Sequence, residues 1–278
     1  MKNKEIVIDD SVGEQVFHNE NCIVFVSIDY DQDTENPLSD SFGKIWSLSH
    51  KHSNYKELSE VKKILKKNPL AVPLSYFEHG NCIWGVQGTL NGTPDFSWDG
   101  THFAGCFDPN DDTKQQIKDT AVKHLLPEGV KVEWKDGKVV LTINGPISGG
   151  CDDCKSFKNA YKKAIDLLGI TYTNEQLLAA KRKQAIEVAE AVCAVYTAWC
   201  NGECYGFKVV SYAAKFDEEK ILMDDKDDYD GEEELEEDSC WGFIGQDGIK
   251  YMIADHVKPF VEKALIVEAD VLEIAEVI

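Results

Sequence analysis

Hydrophobic positions along this chain fall into short runs of two different periods. Asn21–Ile28 (NCIVFVSI) is apolar, β-branched and aromatic over a strand's length, which predicts a buried strand. The polar, turn-rich DYDQDTENPLSDSFG then predicts a surface loop. In Tyr55–Lys67, Leu58, Val61, Ile64 and Leu65 share one face of a helix that Asn68 and Pro69 stop. Leu70–Phe77 reads as a strand, placed at a sheet edge by Pro69 and Pro73. Glycines alternate with large rings from Gly80 to Phe107, a pattern of tight strands and loops packed by aromatics. Asp108–His124 predicts a helix, Val130–Trp134 and Val139–Ile143 a hairpin about KDG, ISGGCDDC a turn, and Ser156–Leu168 a helix. Thr173 caps a long helix that runs to about Trp199.

Beyond that helix, Cys204–Ala213 and Cys240–Ile244 predict two strands of one hairpin, joined by residues 217–238. IKYMIA reads as a further strand and Asp255–Leu265 as a helix; the closing VEADVLEIAEVI reads as a short helix or strand. The expected fold is α+β, a mixed or antiparallel sheet with packed helices and an acidic hairpin insertion. With 278 residues, 43% of them hydrophobic, the chain suffices for one globular domain over residues 1–278; a second would begin near 145–155.

Charge changes this picture most at the insertion. Asp217, Glu218, Glu219, Asp224, Asp225, Asp227, Asp228, Asp230, Glu232, Glu233, Glu234, Glu236, Glu237 and Asp238 stand against only Lys220 and Lys226. Those 22 residues hold twelve of the chain's 21 net negative charges. Ionised carboxylates at this density must face water, a cation or a basic partner, because burial without a partner costs too much. Two readings follow: a solvated, mobile loop, or a surface that imitates the phosphates of DNA, which recur about every 1.7 Å along a duplex. Asp29, Asp31, Asp33 and Glu35, with Asp108, Asp111 and Asp112, extend the field if they share a face. A net charge of −21 disfavours nucleic acid and anionic membranes as direct partners, because both bind through basic patches, and favours a basic protein or cations. The N-terminus shows no secretory pattern and no apolar run is long enough to span a bilayer, so a cytoplasmic location is expected.

Candidate chemistry is sparse. Four thiols, Cys151 and Cys154 with Cys200 and Cys204, match a tetrahedral zinc set if the two halves meet; otherwise the nine cysteines are ordinary reduced thiols. Asp29, Asp31, Asp33 and Glu35 alternate as a calcium loop does, although Asn36 and Pro37 stand where such a loop needs its glycine. His79, Cys82 and Asp99 form a base, nucleophile and orienting acid on paper. No phosphate-binding, dinucleotide, zinc-protease or deaminase motif is present.

Four stretches together resemble an uncharacterised family of proteins carried by phages, plasmids and integrated elements. LAVPLSYFEHGNCIWG is similar to a PLYLYDHSG-type stretch, FSWDGTHFAG to a CPWDSGQVG-type, NGECYGFKVV to a GDVYGF-type, and DSCWGFIG to a DSCWGFYG-type stretch. The matching positions are Tyr76, His79, Gly80, Trp98, Asp99, Gly105, Gly202, Tyr205, Gly206, Phe207, Asp238, Ser239, Cys240, Trp241, Gly242, Phe243 and Gly245. The chain departs at Asn81 and at Gly100–Phe103. The resemblance implies a mobile-element accessory role such as countering host defence. Three expectations result. The first is an inhibitor that binds the basic groove of a host nuclease or other nucleic-acid-binding defence protein. The second is an enzyme or sequestering protein for a nucleotide or small signalling molecule, centred on His79 and Asp99. The third is a self-associating structural or assembly protein.

Overall fold

The apolar run at Cys22 becomes the centre of a sheet that both ends of the chain build. A computed structural model describes residues 6–39, 41–89, 103–127, 130–135, 138–142, 148–151 and 157–265. The chain divides into two compact units, Met1–Asn36 with Ala198–Ile278, and Pro37–Thr197. The first unit begins with strands β1 (Gly13–His18) and β2 (Cys22–Tyr30). The second holds β3 (Gly43–Ser47), α1 (Leu58–Lys67), β4 (Val72–His79), β5 (Asn81–Val86), β6 (Phe103–Pro109) and α2 (Asp111–Thr120). It continues through β7 (Lys131–Lys135), β8 (Lys138–Thr142), β9 (Ser148–Cys151), α3 (Phe157–Leu168) and most of α4 (Asn174–Cys200). The chain then returns to the first unit for β10 (Cys204–Ala213), β11 (Glu236–Ile244) and α5 (Gly245–Met252). The fold is α+β, and every paired strand in its described sheets is antiparallel. The residues around 145–155 lie within the second unit, and 143–147 and 152–156 fall outside the described residues.

In the first unit the strand order is β1-β2-β10-β11. Side chains alternate across a strand, so Cys22, Val24, Val26 and Ile28 pack with Phe207 and Val209 on one face. Ile249, Met252, Val257, Val261 and Ala264 cover that face. Ile23 and Phe25 point to the other face, where they pack with Val210 and Tyr212. A strand buried on both faces reads as a continuous apolar run, which is how β2 reads.

The second unit contains a sheet of order β3-β6-β4-β5 and a hairpin-based sheet β7-β8-β9. The Thr173 cap of α4 is reciprocal: Thr173 Oγ1 accepts from the Gln176 amide at 3.2 Å, and Gln176 Oε1 accepts from the Thr173 amide at 2.8 Å.

Three local expectations are corrected. IKYMIA is helical: α5 runs into a π-helical turn at Ile253–Val257 and helical residues 258–265. Buried Ile249 and Met252 alternate with exposed Lys250 and Tyr251 at helical spacing, a period that six residues are too few to reveal. Within ISGGCDDC, read as a turn, Ser148–Cys151 is strand β9, paired to β8. β4 lies inside its sheet. Pro73 is tolerated there because its carbonyl accepts from Gln87 at 3.0 Å, one place beyond the last β4–β5 pair, Leu74↔Val86, so its missing N–H falls where that ladder has ended.

Candidate functional site

The connection between β10 and β11 is an ordered arm laid over one end of the sheet in the first unit. Ala214 donates to the Asn21 carbonyl at 2.8 Å, and Leu235 donates to the Ser211 carbonyl at 2.8 Å, so both ends of the arm are tied. Within it, the Asp217 carboxylate accepts from the amides of Glu219 and Ile221, closing a tight loop in which Lys220 adopts a left-handed φ of 60°. The Asp225 carboxylate accepts from Asp227 and caps a 3-10 turn, Lys226–Tyr229.

Tyr229 is the anchor. It is 1% exposed, and its ring meets Phe25 edge-on at 5.4 Å and Tyr212 at 5.3 Å. Its hydroxyl donates to the Met223 carbonyl and accepts from the Lys215 amide, both at 3.0 Å. Lys215 Nζ lies 5.3 Å from the centre of the same ring and pairs with Glu232 at 2.5 Å. One buried aromatic ring thus fixes a segment too charged to be buried itself. Of the fourteen carboxylates, only Glu236 is half-buried and the rest are exposed. The last three, Glu236, Glu237 and Asp238, belong to β11.

Few of these charges are neutralised. Lys208 pairs with Glu237 at 2.7 Å, and Lys263 pairs with Glu236. Lys208 also holds the Glu237 carboxyl below its ordinary range, with a second contribution from Glu234. Burial, then the neighbouring Glu234, pushes the Tyr212 phenol up. The remaining eleven carboxylates form no ion pair with a described residue.

Register shows which side of the sheet carries the charge. Phe25, Val210 and Glu237 form one row across the strands; Ser27, Lys208 and Ser239 form the next; Asp29, Gly206 and Trp241 form the third. All three rows lie on the face that Tyr229 covers at its apolar end. Glu14 of β1 stands opposite Ser27 and pairs with Lys226 of the arm at 3.6 Å. Arm and open sheet face therefore make one acidic surface.

The matched segments around Gly202 and Ser239 come together here, as neighbouring strands. Gly206 sits beneath the Trp241 indole: a Cβ there would lie 2.0 Å from the ring, so only glycine fits. A bulge between Tyr205 and Gly206 shifts the register, and Gly242 adopts a left-handed φ of 92° beside it. Gly202 turns the chain out of α4 at φ 75°, and Gly245 donates to the Glu203 carbonyl at 2.8 Å. Phe207 is core, Phe243 and Cys240 pack against it, and Trp241 is 50% exposed.

The described members of the other expected sets are spread over several elements. Glu78 pairs with Cys82 and His79 with Asn81 across the β4–β5 hairpin that Gly80 turns, so His79 and Cys82 point to opposite faces. Tyr76 packs on Trp84 at 4.7 Å in the same hairpin, and Gly105 is pressed against the Trp46 carbonyl. Trp98, Asp99 and Cys154 lie outside the described residues. Cys151 occupies β9, Cys200 is exposed at the end of α4, and the buried Cys204 has its thiol pushed up by desolvation. Asp31 closes its own loop, one carboxylate oxygen accepting from the Asp33 amide at 3.0 Å and the other from the Thr34 hydroxyl at 2.6 Å. No group of three or more His, Cys, Asp or Glu placed to hold a metal ion occurs among the described residues.

Sequence reasoning missed one Ser–His contact, Ser47 Oγ to His52 Nδ1 at 2.8 Å. Ser47 is 1% exposed and accepts from the Ser49 amide at 3.0 Å, which makes it a turn-closing hydroxyl shielded from any substrate. No described helix is long and apolar enough to cross a membrane. Comparison with protein-family models, with curated proteins and with solved structures gives no match.

Proposed function

We propose that this protein is an acidic inhibitor that occupies the basic, nucleic-acid-binding groove of a host defence or restriction protein, in the manner of a DNA mimic. One observation carries the reading: the carboxylate-rich arm is held on a folded sheet by the buried Tyr229 ring. A mobile acidic loop would lose ordering entropy on binding, whereas a preorganised one avoids much of that cost. Charge of this density also accelerates encounter with a basic partner and makes binding weaken steeply with salt. A mobile-element accessory protein in the host cytoplasm is the biological setting that this reading favours.

The test compares transformation of a restricting host by unmodified plasmid DNA with and without the protein. The comparison variant replaces Asp224, Asp225, Asp227 and Asp228 with Asn and Glu232, Glu233 and Glu234 with Gln. Protection by the native chain and its loss in the still-folded variant are expected. Equal protection by both would remove the arm from the mechanism.

A further inference from the structure

At the open end of the acidic face, β2 runs into its loop and forms a shallow dish lined by Tyr30, Asp31, Gln32, Asp33 and Trp241. Trp241, 50% exposed, sets its indole on this face, whereas Tyr30 alternates with Asp29 and turns its ring to the other face with Tyr205, so the indole is the ring the dish presents. The indole is not loose: it rests against Gly206, where a Cβ would lie 2.0 Å from the ring. Asp31 is equally fixed: its amide donates to the Cys204 carbonyl at 2.8 Å, and its two carboxylate oxygens accept from Asp33 and Thr34. Each oxygen retains a lone pair. The dish therefore offers a held indole beside two carboxylates, and no described cation lines it.

We propose that this dish binds the guanidinium group of an arginine on the basic protein partner. The assignment rests on the reading above, and names the side chain by which the partner would be recognised. Chemistry selects arginine over the alternatives. A planar guanidinium stacks on an indole while its edge donates to carboxylates; the compact, strongly hydrated ammonium of lysine does not do both. A nucleic-acid base would also stack on the ring, but its phosphates would be repelled by Asp31, Asp33 and a chain of net charge −21.

Hexa-arginine and hexa-lysine peptides of equal charge provide the probes, titrated by calorimetry at one moderate ionic strength. The native chain is expected to bind the arginine peptide about tenfold more tightly than the lysine peptide. Trp241→Leu keeps an apolar side chain over Gly206 and is expected to reduce that preference to about twofold or less. The seven-site neutralised arm should weaken both peptides alike and leave the preference standing. Equal affinity of the native chain for the two peptides, absence of binding to either, or full preference in Trp241→Leu overturns the proposal. Loss of preference with the arm still required for both peptides would reject the dish alone. A preference that survives while arm neutralisation changes neither affinity would reject the arm alone.

Discussion

The β10–β11 and β4–β5 hairpins each join residues that a sequence reading singles out, and they use them in opposite ways. In β4–β5 the turn is tight at Gly80, and strand alternation separates His79 from Cys82. In β10–β11 the connection is long, and pairing gathers Gly206, Trp241 and the flanking carboxylates onto one face. Closeness along the chain thus separated one set of side chains, and strand register brought together a set more than thirty residues apart. A long connection also needs an anchor of its own, which Tyr229 supplies.

Removing that anchor is the strongest way to break the contrast. Tyr229→Ala should cost about 3–5 kcal/mol in chemical denaturation, as expected for a buried aromatic. It should also open residues 214–235 to a protease concentration that spares the native chain. Tyr229→Phe, which keeps the ring and forfeits two hydrogen bonds, should cost about 1–3 kcal/mol and leave the arm resistant. Gly206→Ala places a methyl where the indole lies and should cost about 1–3 kcal/mol, with a shift in tryptophan emission.

Titration gives a smaller effect, and one that originates in the second unit. Burial is the main cause holding His52 and His124 below the ordinary histidine value of 6.5, against the pull of Glu78 and Glu187 respectively. Between their unfolded and folded values the unfolded chain binds more protons. This contribution is therefore full above about pH 6.5 and lost as pH falls through the folded values. The melting temperature should drop as pH falls below about 6.5, and His124→Gln should flatten that slope. Smallest of all, Glu232→Gln breaks the partly exposed pair with Lys215 and should change stability by at most about 1 kcal/mol. A larger loss would show that the arm depends on its charges as well as on Tyr229.

Much of the fold is legible from local pattern. β2, the α4 cap and the β10–β11 pairing all follow from run length, capping chemistry and flanking turns. β1 and β3 escape such reading because they are short strands with polar or exposed positions, defined by the partners they lie against. The site was only half legible. Fourteen carboxylates announce an acidic surface, but nothing local marks Tyr229 as buried among them. The dish at Trp241 needs the three-strand register Asp29, Gly206, Trp241, which exists only once β2 and β10 have met.

That meeting comes late. β2 ends at Tyr30, and its inner neighbour β10 does not begin until Cys204, after the whole of Pro37–Thr197 has emerged. On a ribosome the inserted unit can condense while β2, apolar on both sides, is paired with β1 alone and still lacks its neighbour β10. Such distant pairing is slow and exposes a sticky segment in the interval. Nascent chains stalled before residue 204 should accordingly recruit chaperones at β2, and release them once β10 has cleared the exit tunnel.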